Sequence, residues 1–267
     1  MNVYVLMALF ATVGTWLVTA LGAAVVVFFK SPGKKLMNCM LGFASGVMIA
    51  ASFWSLLQPA IERAQKMSAV PPWLVATVGF LSGAVFMWVS DKLVSYSLER
   101  TSGIDVMSNN KLSRVIMLVL AVTLHNIPEG LAVGVAFGAL NKSGYNLEQF
   151  MGAITVAIGI GLQNFPEGAA VSLPLKREGF SRRRSFFLGQ ASGMVEPVAG
   201  VLGALLIVYI ESVLPYALSF AAGTMILVVV HELIPECRTD NDCNPYYSTM
   251  GVIIGFSFMM MLDVMLG

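Results

Sequence analysis

Long apolar segments separated by short polar loops make up most of this chain of 267 residues. Each segment can cross a bilayer as a helix, which needs about 20 mostly apolar residues, and none shows the period of two that a spanning strand requires. The pattern predicts an all-α polytopic membrane protein, an eight-helix bundle that forms one transmembrane domain over residues 1–267. The predicted spans are residues 3–29, 36–57, 72–98, 113–140, 148–175, 184–209, 212–236 and 247–266.

Composition and charge refine this prediction. Hydrophobic residues make up 57% of the chain and charged residues 12%, whereas soluble domains are about 45–50% apolar. Of the 16 Lys and Arg residues, 13 fall in the loops after predicted spans 1, 3, 5 and 7 or in the adjoining ends of the spans. Because cytoplasmic loops carry the excess of basic residues, both termini are predicted to lie outside the cytoplasm. We expect a multi-pass protein of the bacterial inner membrane that contacts lipid and binds no nucleic acid.

A polar motif occurs twice, in the middle of two predicted spans. HNIPEGLAVG at residues 125–134 returns 38 positions later as QNFPEGAAVS at residues 163–172, with six of ten positions identical. Polar and ionisable residues inside a membrane usually mark functional sites. Spans 4 and 5 run in opposite directions, so the two copies are predicted to form an inverted repeat. Pro128 and Pro166 each remove a helical hydrogen bond, which predicts a kink in both spans.

The spacing of the polar residues predicts a cation site. Residues three and four apart share one helix face, so seven side chains of spans 4, 5 and 6 would converge near the bilayer midplane: His125, Asn126, Glu129, Gln163, Asn164, Glu167 and Glu196. The chain has no Lys or Arg between residues 115 and 141, 143 and 175, or 185 and 237. The buried carboxylates must therefore be neutralised by protons or by a metal ion. An imidazole among oxygen donors favours zinc and its first-row neighbours.

Four motifs in this order resemble the ZIP (Zrt-, Irt-like) transporters, particularly their prokaryotic members. They are HNIPEG, QNFPEG, the central Glu196, and HELIPE at residues 231–236. The resemblance implies transport of zinc, and often of iron, manganese, cobalt or cadmium, toward the cytoplasm by alternating access, without an organic cofactor. It also implies a homodimer.

The same resemblance implies a binuclear metal site bridged by Glu129 and Glu167. One metal site would use His125, Glu129, Gln163 and Glu167, with Met48 as a soft ligand, and the other would use Asn126, Glu129, Asn164, Glu167 and Glu196. Many members of this family have His where Gln163 stands, and some have an acidic residue where Asn164 stands. The predicted site is therefore less basic and less charged than in those members.

Further polar residues predict a path to and from this site. Ser55, Glu62 and Asp263 would form an entrance, and His231, Glu232, Glu236 and Asp91 would form an exit. For Glu62 and Asp91, an interfacial charge that reaches water is an equally good interpretation. The stretch CRTDNDC, with Cys237, Asp240, Asp242 and Cys243, could receive a metal, although short polar loops are common.

Pairs of glycines four residues apart predict close helix packing rather than a specific function. They are Gly42 and Gly46, Gly79 and Gly83, Gly130 and Gly134, Gly189 and Gly193, and Gly251 and Gly255.

Two other functions fit parts of the pattern. An intramembrane metalloenzyme would need a metal held by several His and an activating base, for example in an HExxH motif, but HELIPE lacks the second His and the chain has only two His, 106 residues apart. The chain is therefore not expected to be an enzyme. The remaining alternative is a proton-coupled carrier of another solute that uses the same carboxylates.

Overall fold

The computed structural model describes residues 2–28, 34–66, 70–102, 111–140, 147–236 and 245–266. Within these ranges every regular element is helical, which confirms the predicted all-α class. The α-helices are α1 (Val3–Phe28), α2 (Lys34–Ala51), α3 (Gln58–Lys66), α4 (Pro72–Ser102), α5 (Lys111–Gly138), α6 (Leu147–Arg177), α7 (Arg182–Ser192), α8 (Val195–Tyr209), α9 (Leu214–Val228), α10 (Ile234–Glu236) and α11 (Tyr246–Leu266). A short 3₁₀ turn, Glu211–Val213, precedes α9.

Six helical segments of the described ranges are long and apolar enough to cross a membrane: Val3–Phe28, Lys35–Lys66, Pro72–Leu93, Arg182–Tyr209, Leu214–Leu233 and Tyr246–Met265. Helices α5 and α6 are outside this set, although they contain 28 and 31 residues. Both continue through the proline of their polar motif, Pro128 in α5 and Pro166 in α6. The count of eight spans, the two kinks and the orientation of the termini stay predictions.

The predicted span 184–209 consists of two helices, which changes the position of Glu196. A turn at Gly193 and Met194 separates α7 from α8, so the prediction of Glu196 in the middle of a continuous helix was wrong. The residue lies in the first turn of α8. There Pro197 is tolerated, because a first-turn N–H has no partner within the helix. The Glu196 carboxylate lies at the positive end of the α8 dipole, which favours its negative charge.

Two π-helical segments interrupt the bundle. Ser52–Leu57 joins α2 to α3, and Val229–Leu233 joins α9 to α10. Short π-helical turns inside α-helices occur frequently at functional sites. The first contains the predicted entrance residue Ser55, and the second contains the predicted exit residues His231 and Glu232.

Four helix pairs make the most extensive contacts: α1 with α6, α2 with α11, α4 with α9, and α5 with α8. In each pair a glycine lies directly against a backbone carbonyl of the partner helix: Gly22 against Phe165, Gly46 against Val252, Gly83 against Phe220, and Gly134 against Gly200. A side chain at any of these glycines would overlap the partner backbone. The predicted role of the small residues in close packing is thereby confirmed for Gly46, Gly83 and Gly134.

The polar motifs lie where the pairs α1–α6 and α5–α8 meet. Helices α1, α5, α6, α7 and α8 contact one another, and α2 and α9 pack on this group from outside through α6 and α5. The arrangement encloses the polar residues of α5, α6 and α8 within a bundle whose remaining core is apolar.

Candidate metal centre

The two copies of the motif are joined by a direct hydrogen bond. The Gln163 side-chain amide of α6 donates to Glu129 Oε1 of α5 at 2.5 Å. Both side chains are fully buried. The bond links the first polar position of one copy to the last polar position of the other, so the repeated sequence brings α5 and α6 together at one point.

Glu196 is held by helix α1 as well as by α6. The Thr15 hydroxyl donates to Glu196 Oε2 at 2.5 Å, and the Thr19 hydroxyl donates to Oε1 at 3.2 Å. The Asn164 amide nitrogen lies 2.9 Å from both carboxylate oxygens. Glu196 is 0% exposed, so these donors replace the water that a carboxylate would bind at the surface.

Five buried oxygen atoms of the motifs have no hydrogen-bond partner within the described part of the chain: Glu129 Oε2, Glu167 Oε2, Asn126 Oδ1, Gln163 Oε1 and Asn164 Oδ1. The amide nitrogen of Asn126 is used, since it donates to the Ser192 carbonyl at 2.9 Å. Leaving a buried acceptor unsatisfied costs about 1–3 kcal/mol. All five atoms are acceptors, so a bound cation could satisfy them together.

The carboxyl groups of the centre also act on one another. Glu129 interacts electrostatically with Glu167 and Glu196, and Glu167 interacts with Glu196. Like charges in a low-dielectric interior repel strongly, and a buried charge without a partner is unfavourable by several kcal/mol. A divalent cation between the glutamates would remove this repulsion and bind the oxygens that have no hydrogen-bond partner among the described residues.

The centre is a mixed set of oxygen donors. Among the described residues, no three His, Cys, Asp or Glu side chains form a group arranged to hold a metal ion. Amides and hydroxyls supply most of its polar atoms, and the His125 side chain lies outside what the structure describes, although its backbone is part of α5. Carboxylate and amide oxygens without imidazole or thiolate also suit harder divalent cations.

Sequence reasoning missed the contribution of α1. Thr12, Thr15 and Thr19 are buried on one face of this helix, and two of them contact Glu196. Their spacing of three and four residues in an otherwise apolar helix is a polar stripe, which is the signal that could have revealed them. Met48, predicted as a soft ligand, is buried on α2, a helix that contacts α6. Its role stays a prediction.

The three predicted entrance residues line one cavity of about 640 Å³. The Ser55 hydroxyl donates to Asp263 Oδ1 at 2.6 Å, and Glu62 accepts a hydrogen bond of 3.1 Å from Gln58. Glu148 and Gln149, at the start of α6, line the same cavity. The cavity therefore leads from α3 and α11 to the first turn of a helix that carries the polar motif.

The predicted exit residues are distributed over two neighbouring helices. His231 is exposed and Glu232 is half-buried in the π-helical segment after α9, and Asp91 is half-buried on α4, which packs against α9. The side chain of Glu236 lies outside the described residues, as do Cys237, Asp240, Asp242 and Cys243.

Comparison with known proteins identifies the family of this chain. The family model described as ZIP Zinc transporter matches residues 3–114 and 105–263. The chain is 38% identical to zinc transporter ZIP11 of Homo sapiens, over 98% of each chain. It is 35% identical to zinc transporter GufA of Myxococcus xanthus, over 93% of this chain and 94% of that protein. It is 33% identical to zinc transporter ZIPB of Bordetella bronchiseptica, over 93% and 78%. The chain belongs to the ZIP zinc transporter family.

Proposed function

We propose that this protein carries divalent transition-metal ions across a membrane into the cytoplasm, with Zn²⁺ as the main substrate and Cd²⁺, Fe²⁺, Mn²⁺ and Co²⁺ as further substrates. The proposal rests on five buried side-chain oxygens that have no hydrogen-bond partner among the described residues. They belong to Glu129, Glu167, Asn126, Gln163 and Asn164. The relatives are named zinc transporters, which supports transport rather than enzymatic chemistry.

The metal ligands of the proposal come from three helices. Glu129 and Glu167 bridge two ions near the bilayer midplane. His125 and Gln163 complete the first metal site, with Met48 as a soft ligand, and Asn126, Asn164 and Glu196 complete the second. The hydrogen bond from Gln163 to Glu129 and that from Asn164 to Glu196 support this division, since each joins residues of one proposed site.

Transport requires the site to face each side of the membrane in turn. In our proposal one transport domain of eight spans, with both termini outside the cytoplasm, does this by alternating access. Helices α5 and α6, kinked at Pro128 and Pro166, form the inverted repeat. The length of both helices, 28 and 31 residues, supports their inclusion as spans. Labelling of single introduced cysteines at each terminus with a membrane-impermeant reagent tests the orientation.

The ion enters through the cavity lined by Ser55, Glu62 and Asp263, and it leaves past His231, Glu232, Glu236 and Asp91. The cavity is lined by three acidic residues, Glu62, Glu148 and Asp263, and two basic ones, Arg63 and Lys66; the excess of acidic residues supports this direction, because it attracts a divalent cation from solution. We place the protein in the prokaryotic branch of its family and in a bacterial inner membrane, as a homodimer. The matches to GufA of Myxococcus xanthus and ZIPB of Bordetella bronchiseptica support the bacterial assignment, whereas the match to ZIP11 of Homo sapiens covers more of both chains at higher identity.

Zinc uptake by proteoliposomes tests the proposal. Glu129→Ala and Glu167→Ala are expected to abolish uptake, because each substitution removes a carboxylate that has a vacant oxygen. Glu178→Ala serves as the matched control, since this residue lies in the turn after α6, away from the centre. Uptake at the wild-type rate by folded Glu129→Ala or Glu167→Ala protein would contradict the assignment.

A further inference from the structure

The Glu196 carboxylate differs from the other two carboxylates because both of its oxygens accept hydrogen bonds from protein donors. A carboxylate offers about four lone-pair sites. Glu196 accepts from three donor atoms: the Thr15 hydroxyl on Oε2, the Thr19 hydroxyl on Oε1, and the Asn164 amide nitrogen, which lies 2.9 Å from both oxygens and 3.3 Å from the Thr15 carbonyl. A metal ion that binds Glu196 therefore competes with these donors for the carboxylate oxygens.

Glu129 and Glu167 present the opposite situation. In each of them Oε2 is buried and has no hydrogen-bond partner among the described residues, so a metal ion can bind there without displacing a protein donor. Next to Glu196, the vacant oxygens are the amide oxygens of Asn126 and Asn164. The two metal sites of the proposed function share the free oxygens of Glu129 and Glu167, but only the second also depends on Glu196, whose two oxygens both accept hydrogen bonds from protein donors.

The threonine hydroxyls have a second acceptor within α1. Thr15 Oγ1 lies 3.0 Å from the Thr12 carbonyl and Thr19 Oγ1 lies 3.3 Å from the Thr15 carbonyl, against 2.5 Å and 3.2 Å to Glu196. A hydroxyl has one proton, and the bond to a carboxylate is the stronger of the two. When a metal ion takes the carboxylate oxygen, each hydroxyl can turn to its backbone carbonyl and remain satisfied.

The packing around Glu196 restricts any other response. A methyl group added at Gly193 would come within 3.0 Å of both Glu196 Oε1 and Thr19 Oγ1. The turn between α7 and α8 thus closes directly over this pair. The backbone at Gly193 therefore limits the movement of the carboxylate on this side.

We propose that Thr15 and Thr19 of α1 set the affinity of the second metal site: by donating to Glu196 they compete with a second ion for its oxygens, so that two ions bind in order and with unequal affinity. This inference rests on the proposed function. In it α1 acts as a positioning helix that lowers the affinity of the second site, so that this site fills after the first.

Zinc titration of the purified full-length protein by isothermal calorimetry tests this assignment. Wild-type protein should show one tight site and one weaker site. The double variant Thr15→Val, Thr19→Val removes both hydroxyls while keeping the side-chain shape, and it should tighten the weaker site by about tenfold or more, the equivalent of one charge-assisted hydrogen bond. The tight site should change much less. Thr15→Ser, which keeps a hydroxyl, should resemble the wild type.

Thr12→Val is the matched control. Thr12 is buried on the same face of α1, but its hydroxyl donates only to the Ala8 and Leu9 carbonyls of its own helix. If the double variant does not elute as a folded species, Thr15→Val alone should shift the weaker site in the same direction. The role of the threonines would be overturned if the double variant kept the wild-type difference in zinc affinity between the two sites, or if Thr12→Val shifted the weaker site equally. Tight zinc binding would persist in either case. If the wild-type protein bound no zinc, the proposed function would fail as well.

Discussion

The side-chain amide of Gln163 donates to Glu129 at 2.5 Å, and through this bond each motif copy fixes a side chain of the other. Glu129 Oε1 therefore accepts a hydrogen bond from α6, while Oε2 has no hydrogen-bond partner among the described residues. An amide at this position is neutral, and it is a weaker metal ligand than imidazole. The pair favours a site from which the ion is readily released.

Replacing this amide by imidazole tests that interpretation. Gln163→His should bind Zn²⁺ more tightly, by on the order of tenfold or ~1.4 kcal/mol, because a zinc-preferring nitrogen replaces an amide. Release should then limit turnover, so the maximal uptake rate should fall together with KM. Calorimetry and proteoliposome uptake measure the two effects. Gln190→His on α7, outside the centre, should change neither.

Asn164→Asp should make the stability of the protein depend more strongly on zinc. The substitution removes an amide that donates to both Glu196 oxygens and adds a second negative charge beside them. The metal-free protein should lose about 3 kcal/mol or more, and zinc should restore most of this loss. Thermal unfolding with zinc and with a chelator measures the difference. Asn2→Asp, at the start of the chain, serves as the control. The prediction would be contradicted if zinc raised the Tm of Asn164→Asp only as much as it raises the Tm of the wild type or of Asn2→Asp.

Gly22 and Gly14 of α1 offer a matched pair for testing the helix packing. A methyl group at Gly22 would overlap the Phe165 carbonyl of α6, whereas Gly14 has no atom within 4 Å of the same position. Gly22→Ala should therefore destabilise the bundle by about 1–3 kcal/mol. Gly14→Ala should be neutral or slightly stabilising, since alanine is the better helix former. Chemical unfolding in detergent measures both, and equal effects would contradict the packing argument.

Asp263→Asn should weaken the capture of the ion at the entrance. Asp263 lines the cavity beside Ser55 and contributes a negative charge there. Removing this charge should raise KM for zinc several-fold with little change in the maximal rate, and the difference from wild type should shrink in high salt, which screens surface charge. Ser248→Ala on the same helix, where the hydroxyl donates to the nearby Pro245 carbonyl, should leave KM unchanged.

The helical class and the meeting of the two motifs could be predicted from the sequence because both depend on local periodicity. Glu129 and Gln163 contact each other as expected from two polar turns in the middle of neighbouring apolar segments. The turn at Gly193 and Met194 was missed because the length expected of a span favours one helix over residues 184–209, although Gln190 and Ser192 make the stretch before the turn less apolar. Hydropathy records the polarity of side chains and is insensitive to a break in the backbone.

The role of α1 was missed for a different reason. Threonine in an apolar helix usually donates to a carbonyl of its own helix, as Thr12 does, and such a residue has no effect on neighbouring helices. Thr15 and Thr19 differ from Thr12 only because Glu196 lies opposite them. That relationship is between residues 181 and 177 positions apart, and no pattern along the chain contains it.

Each of the four main helix pairs is joined by a contact between a glycine and a backbone carbonyl. This contact has a mechanical consequence. Where main chain touches main chain, as at Gly134 and Gly200, no torsion angle remains that could absorb a displacement. Between α11 and α6 the contact is different, because the flexible end of Met259 lies against Gly159. The molecule can therefore change shape most easily where helices contact each other through side chains. Each of the four glycine-joined helix pairs would then move as one rigid unit.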